Sequence, residues 1–384
     1  MPKSEKLMVL AVDALAFPCL EAMPFLRHLA AGGKACSVRP APGFRGIEPL
    51  LEGRWDPPQS RPFPVKRSSK PGYFPPLLEI RGEFPKSRFN RLIRSRLPTT
   101  GGFGDSRVIR LNLPGPDFSA GGSLRAPPLI AMWERRGLGV WWAPRDSLFE
   151  EQKGFLKQFL LALRGLSQLS EILQAFENGT DIAYLEFSGQ LDPVGRRHGP
   201  FSYKTRREAS RLDHELAEWM GRIWKRHPAT QVALLSGQGM SPVDNAFDIE
   251  ALLRSRGLRN GTNYLGVWDI QYGQVWAAPE ILARITDALW ENREAKVVDP
   301  EERRTWFGED TAYGDLLVAC REGTMLLPNH FEGKRHLRGA HGYLGAITPS
   351  SRSLCLFSGG GFHHLPQAEV ELPDLFPVLA QWGA

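Results

Sequence analysis

The sequence predicts an α/β fold: a doubly wound, mostly parallel sheet with helices on both faces, broken by one inserted lobe. Three observations predict it. Short apolar runs alternate with amphipathic helical patterns along most of the 384 residues, as in chains that lay helices over a sheet. Several of those runs stop at polar segments, the end at which an open α/β sheet gathers its ligands. Residues 56–128 interrupt the alternation with dense Pro and Gly, which break regular elements.

The elements follow in order. KLMVLAVDAL (6–15) is an apolar strand ending in Asp13, and LEAMPFLRHLAAGG after it sets Leu20, Met23, Leu26 and Leu29 on one helical face. Ala35–Arg39 is a second strand. The lobe over 56–128 holds the basic stretch FPKSRFNRLIRSR, in which Phe89, Leu92, Ile93 and Leu97 allow a short amphipathic helix. Residues 1–55 and 129–384 then form the α/β core. LIAMWERRG (129–137) is helical, and LGVWWAP (138–144) is a strand whose Trp141 and Trp142 face opposite sides. One or two helices span 149–178, DIAYLEFS (181–188) is a buried strand, and Tyr203–Arg226 is a long amphipathic helix. QVALLSG (231–237) is a strand, and FDIEALLRSRG (247–257) is a helix closed by its glycine. YLGVWDIQYGQVWAA (264–278) alternates like a hairpin, 279–292 is helical, and 314–321 and 353–360 are strands.

Composition removes several classes. With 42% hydrophobic and 23% charged residues, the chain forms a core and is not a disordered tail. Four cysteines in 384 residues make no dense disulfide framework, so Cys19, Cys36, Cys320 and Cys355 are expected as buried thiols. No run reaches the roughly 20 apolar residues that cross a bilayer. The opening apolar stretch is interrupted by Asp13 and lacks a small-residue cleavage site, so no signal peptide is expected and a cytoplasmic location follows. The net charge of +6 permits an anionic ligand. Much of the excess is local: residues 54–110 carry thirteen Lys or Arg against four Asp or Glu.

Four segments sit just after predicted strands: VDAL at Asp13, GQLDPVGRRHGP at Asp192, LLSGQGMSPVDN at Gly237, and RGAHGY at His341. In order and strand context they resemble the nucleotide pyrophosphatase/phosphodiesterase branch of the alkaline phosphatase superfamily. The resemblance covers most of the chain and is vaguest over 60–128. It implies an alkaline phosphatase-like core. In that branch the first strand ends in a metal-binding Asp, and an Asp-x-x-Gly-His-x-x-Gly-Pro motif follows later. Ser-Asp-His-Gly-Met stands after another strand, and Gly-x-His-Gly-Tyr comes last. Two zinc ions flank a Thr or Ser nucleophile, lowering its pKa and neutralising charge on the transferring group.

Carried over residue by residue, the resemblance makes Asp13, Asp192 and His341 remnant metal ligands. Gly195 fixes the register of DPVGRRHGP and puts Arg196 where the motif has His, with His198 two positions later. Gly237 and Gln238 replace the Asp-His pair, although Ser236, Gly239 and Met240 keep the frame. Counting back from Gly53 puts the nucleophile near Gly43, Phe44 or Arg45, none of which attacks phosphorus. A guanidinium stays protonated and presents only donors, so Arg196 cannot ligate zinc. It can stand in for a lost cation or pair with a bound phosphate.

The resemblance therefore implies a dismantled two-metal site and a pseudoenzyme that binds a protein partner or an anionic, phosphate-containing ligand, with Arg45, Arg196 and His198 as ligand-binding candidates. No cofactor is expected, or at most a single zinc ion. The enzyme alternative is a divergent hydrolase or transferase acting on a phosphate or sulfate ester, with Arg45, Arg196, Gln238 and His341 as candidate catalytic residues. A nucleic-acid binder is a third class, which no recognised module accompanies.

Ordinary roles stand beside these. Asp13 can cap the following helix, Asp192 before Pro193 can start a turn, and the triple glycine at 359–361 reads as a turn. His198, His330, His336, His363 and His364 offer a rearranged metal site, and the basic stretch 86–96 reads first as a solvated face.

Overall fold

A computed structural model of the chain describes residues 5–39, 42, 47, 50–51, 53, 66–67, 116–117, 128–143, 168–187, 191–307, 314–329, 336–362 and 369–383. The chain opens with β1 (Leu7–Val12), a 3-10 segment (Phe17–Ala22), α1 (Pro24–Gly32) and β2 (Lys34–Val38). Past the expected lobe come α2 (Pro128–Arg135), β3 (Val140–Ala143), α3 (168–177), β4 (Ile182–Phe187), α4 (Leu191–His198), α5 (Tyr203–Arg226) and β5 (Gln231–Leu235). The next stretch holds β6 (Ser241–Pro242), β7 (Asn245–Asp248), α6 (Ile249–Ser255), β8 (Leu265–Trp268), β9 (Tyr272–Trp276) and α7 (Pro279–Trp290). It continues with β10 (Ala295–Val297), α8 (Pro300–Phe307), β11 (Leu316–Cys320), β12 (Thr324–Leu327) and β13 (Gly339–Ala340). The C-terminal part adds β14 (Ser353–Ser358), β15 (Glu369–Val370) and α9 (Phe376–Ala380).

Seven strands form the main sheet in the order β15-β2-β14-β5-β1-β4-β3. β1 runs parallel to both β4 and β5, and β3 runs parallel to β4. Among the described strands of this sheet only β14 is reversed, pairing antiparallel with β5 and β2. All six residues of β1 are buried, as expected of a central strand covered on both faces. Its alternate residues separate cleanly. Leu7, Val9 and Ala11 join the core under α2 and α9, whereas Met8, Leu10 and Val12 join the core under α1, α3 and α5. Burying each such Leu or Val is worth roughly 2 kcal/mol. Trp142 packs on the first of these cores and Trp141 on the second, the two-sided arrangement expected from their adjacency.

The main sheet is accompanied by a second one that the sequence reading did not separate out. β8, β9, β11 and β10 form a separate four-stranded antiparallel sheet with a core of its own, including Tyr264, Trp268, Val275, Ile285 and Val318. The 314–321 strand belongs there and not to the main sheet. The expected hairpin is present, with Leu265 opposite Trp276. The helix expected from 247 begins at Ile249, because Phe247 and Asp248 are drawn into β7 by pairing with β12. Asp248 then caps it by accepting a hydrogen bond from the Ala251 amide.

Two local expectations change. Asp13 does not cap α1: the carboxylate of Asp213, from α5, accepts from the Phe25 and Leu26 amides at 2.9 Å each. Asp192 and Pro193 lie in the first turn of α4 instead of an open turn, a place where Pro's missing N–H leaves no bond unmade. The triple glycine is a turn, with Gly359 at φ +124°.

All four cysteines are free; Cys36, Cys320 and Cys355 are buried, and Cys19 is only half-buried. Burial pushes the Cys19 thiol up to about 11 and that of Cys355 up to about 12. Of the expected lobe, Lys66–Arg67 and Pro116–Asp117 form a short antiparallel pair. Its basic stretch and short helix lie outside the described residues. Among the described residues, no helix is long and apolar enough to cross a membrane.

Candidate functional site

The three parallel strands β4, β1 and β5 deliver their C-terminal ends to one edge of the main sheet. β4 leads to α4, β1 leads to the turn at Asp13, and β5 leads to the loop 236–240. β13 pairs antiparallel with β6 directly after that loop and so brings His341 alongside. Four distant chain segments are thereby gathered without any one of them carrying the site alone.

The glycines and methionine of the sequence frame act as packing parts. A Cβ on Gly195 would stand 2.7 Å from the Met240 sulfur, and a Cβ on Gly339 would meet that same sulfur and the Gly195 carbonyl at 2.8 Å. Met240 is thus wedged where α4, β6 and β13 meet, and the Arg338 amide donates to the Arg196 carbonyl at 2.8 Å. Gly239 lies too close to the carbonyls of Ser350 and Arg352 for any side chain. Its amide donates to Ser351, and that of Met240 to Ser350.

On this frame sits a charged cluster. Asp192 and Arg196 are four residues apart on α4 and therefore share a face. The Arg196 Nε donates to Asp192 Oδ1 at 2.9 Å. His341 Nε2 is 2.8 Å from the same carboxylate oxygen and 3.2 Å from Arg196 Nη2. Its other ring nitrogen, Nδ1, is 3.0 Å from the Gly239 carbonyl oxygen. The His341 side chain is 10% exposed, so both nitrogens are engaged within the protein. Burial alone would raise the Asp192 pKa. Arg196 and then His341 outweigh it and hold the carboxyl well below the usual range.

The structure adds residues that sequence reading missed. The tip of the β8–β9 hairpin docks on the cluster: the Gln271 side-chain amide donates to the His341 carbonyl, and the Tyr272 hydroxyl donates to the Gly342 carbonyl at 2.6 Å. Asp269, at the same tip, feels the charges of Arg196 and His341, yet burial dominates and raises its pKa. A signal was present, since Asp269 is the only charged residue in YLGVWDIQYGQVWAA.

Of the sequence-predicted residues, Asp192, Arg196 and His341 are brought together. Gln238 is buried in the adjoining loop, where its carbonyl accepts from the Ser236 hydroxyl at 3.3 Å. Asp13 is in the neighbouring turn, tied to that loop by the Leu15 amide donating to Ser236 Oγ at 3.1 Å. His198 ends α4, and two residues of helix turn it about 200° from Arg196, off the cluster's face. Arg45 lies outside the described residues, as do His330, His363 and His364, while His336 is exposed. Among the described residues no group of three His, Cys, Asp or Glu side chains could hold a metal ion.

Residues 142–344 match the profile of the type I phosphodiesterase / nucleotide pyrophosphatase family. That span holds the whole charged cluster and the hairpin tip but not Asp13. No curated protein matches the chain in sequence. Among solved structures, murine ectonucleotide pyrophosphatase / phosphodiesterase 5 superposes with a TM-score of 0.65 at 15% identity, over 98% of this chain and 94% of that one. An inactive form of the murine protein in complex with AMP gives 0.66 at 15% identity, over 99% and 96% of the chains. The human protein gives 0.66 at 14%, over 98% and 94%. Likeness at that identity concerns the alkaline phosphatase-like fold alone.

Proposed function

Because the chain belongs to the type I phosphodiesterase / nucleotide pyrophosphatase family, we propose that it is a member that has lost two-metal hydrolysis and acts by binding. One observation carries this reading: the Arg196 guanidinium stands against both Asp192 and His341, two of the positions that the family resemblance assigns to metal. A guanidinium cannot coordinate zinc, and its positive charge opposes a divalent ion beside it. The local donor set of one carboxylate, one imidazole and one guanidinium does not fit a zinc ion.

Two further features support the reading against the enzyme alternative. A general base must present a free nitrogen to substrate, whereas both nitrogens of His341 face protein atoms. Gln238, a candidate catalytic residue in that alternative, sits in the buried loop with little exposure of its own. The cluster is also poorly disposed toward a phosphate. Arg196 already answers Asp192 in direct contact, which leaves little uncompensated positive charge for an anion. Binding of a protein or anionic partner is then assigned to a surface other than the former reaction centre.

The test is metal content together with turnover. Purified protein is expected to carry less than stoichiometric zinc by mass spectrometry and to leave bis(p-nitrophenyl) phosphate and nucleoside triphosphates uncleaved. Two zinc ions per chain, with phosphodiester turnover abolished by Asp13→Ala, would falsify the proposal.

A further inference from the structure

The far end of α4 carries a surface that the folding of the chain does not explain. Gly199 turns the chain there, Thr205 donates its hydroxyl to the Gly199 carbonyl at 2.6 Å, and Ser202 caps α5 by accepting from the Thr205 amide at 3.1 Å. This tight corner presents Phe201 and Tyr203 to solvent, 55% and 73% exposed. Lys204, Arg206 and Arg207 follow on α5, all exposed. Measured around the helix from buried Thr205, Tyr203 and these three cations fill an outward arc of about 160°. Arg338, also exposed, lies against Gly199 and extends the surface.

Neither the charges nor the rings are economical for folding. The first turn of α5 contains no acidic residue, and cations at the positive end of a helix dipole weaken the helix. Lys204 and Arg207, three residues apart, repel each other. None of the four cations is ion-paired with another described residue, unlike Arg211 one turn further on, which pairs with Glu208 and Glu215. Aromatic rings this exposed add little to the core.

We infer that this corner binds single-stranded nucleic acid, with Lys204, Arg206, Arg207 and Arg338 meeting phosphates and Phe201 and Tyr203 stacking on bases. Charge complementarity selects a polyanion. The two solvent-facing rings among the cations distinguish a nucleic acid, which has flat faces to stack, from an acidic peptide, which needs only charge. The inference is independent of what the former reaction centre does.

The experiment is fluorescence anisotropy of the full chain with labelled 20-nucleotide oligo-dT and oligo-U between 50 and 200 mM salt. Binding is expected to weaken log-linearly with salt. Lys204→Glu/Arg206→Glu/Arg207→Glu lowers the magnitude of that slope by about 2, at about 0.7 per phosphate contact on a single strand. Phe201→Ala/Tyr203→Ala weakens binding about tenfold or more while leaving the slope unchanged. Circular dichroism confirms that both variants stay folded. Absence of binding at 50 mM salt overturns the inference. So does binding that survives both variants, which would place it on the basic lobe, or binding that loses nothing with the aromatic pair, which would be bare polyanion exchange.

Discussion

The two ends of the segment 191–207, which runs from α4 into α5, dispose of charge in opposite ways. At the first end, Asp192, Arg196 and His341 are drawn together, partly buried and satisfied by one another. At the other end, four cations and two aromatic rings are held out to water without ion-pairing partners among the described residues. Neutralised charge at the first end serves cohesion between α4 and β13, and unneutralised charge at the second end serves recognition. The difference teaches where to look for activity. A residue whose placement stabilises the molecule already has a sufficient reason to exist, and a residue whose placement weakens it needs one.

The largest effect that would break this comparison falls on the cohesive end. Asp192→Asn strips the counter-charge from Arg196 and is expected to destabilise the fold by about 3 kcal/mol, seen as a lower urea midpoint with an unchanged slope. Because the native carboxyl is held below its unfolded value, its contribution is present above about pH 4 and fades as pH falls further. The wild type should therefore lose stability over that acid range and the variant should lose less. A flat wild-type profile there would show the cluster to be idle.

A smaller effect of opposite sign is expected at the hairpin tip. Burial raises the Asp269 pKa, so its stabilising contribution is complete only below about pH 4 and is lost as pH rises through the native value. At pH 7, Asp269→Asn keeps an acceptor for the Ile270 amide, which now donates to Asp269 Oδ1 at 2.7 Å. Its melting temperature is expected to match or exceed that of the wild type, the excess vanishing as the buffer approaches pH 4. A clear loss at neutral pH would make Asp269 a second counter-ion to Arg196.

The smallest effect sharpens the recognition end. Reversing Lys204, Arg206 and Arg207 to Glu places acidic groups at the positive end of the α5 dipole. At low salt this should raise the melting temperature by about a degree or two, even as oligonucleotide binding falls. A stability loss would mean that those cations serve the fold after all.

Much of the main sheet was legible because β1, β4 and β14 are six-residue, largely apolar runs that stand out from the helical patterns around them. The separate antiparallel sheet was not. A strand such as Leu316–Cys320 reads the same whichever sheet it joins, and only its pairing with Tyr272–Val275 decides. Asp13 looked like a cap until Asp213, far along the chain, took that role. The frame of Gly195, Gly239, Met240 and His341 was readable because it is local motif. Asp269 and Gln271 were missed because their meaning comes from segments about seventy residues away or more, which no spacing rule connects.

Met240, lodged between Gly195 and Gly339, has a consequence for ancestry. Some of the positions that make the lineage recognisable are masonry, held by the close fit of backbone and sulfur. Kinship is thus carried in part by residues that would do no chemistry themselves.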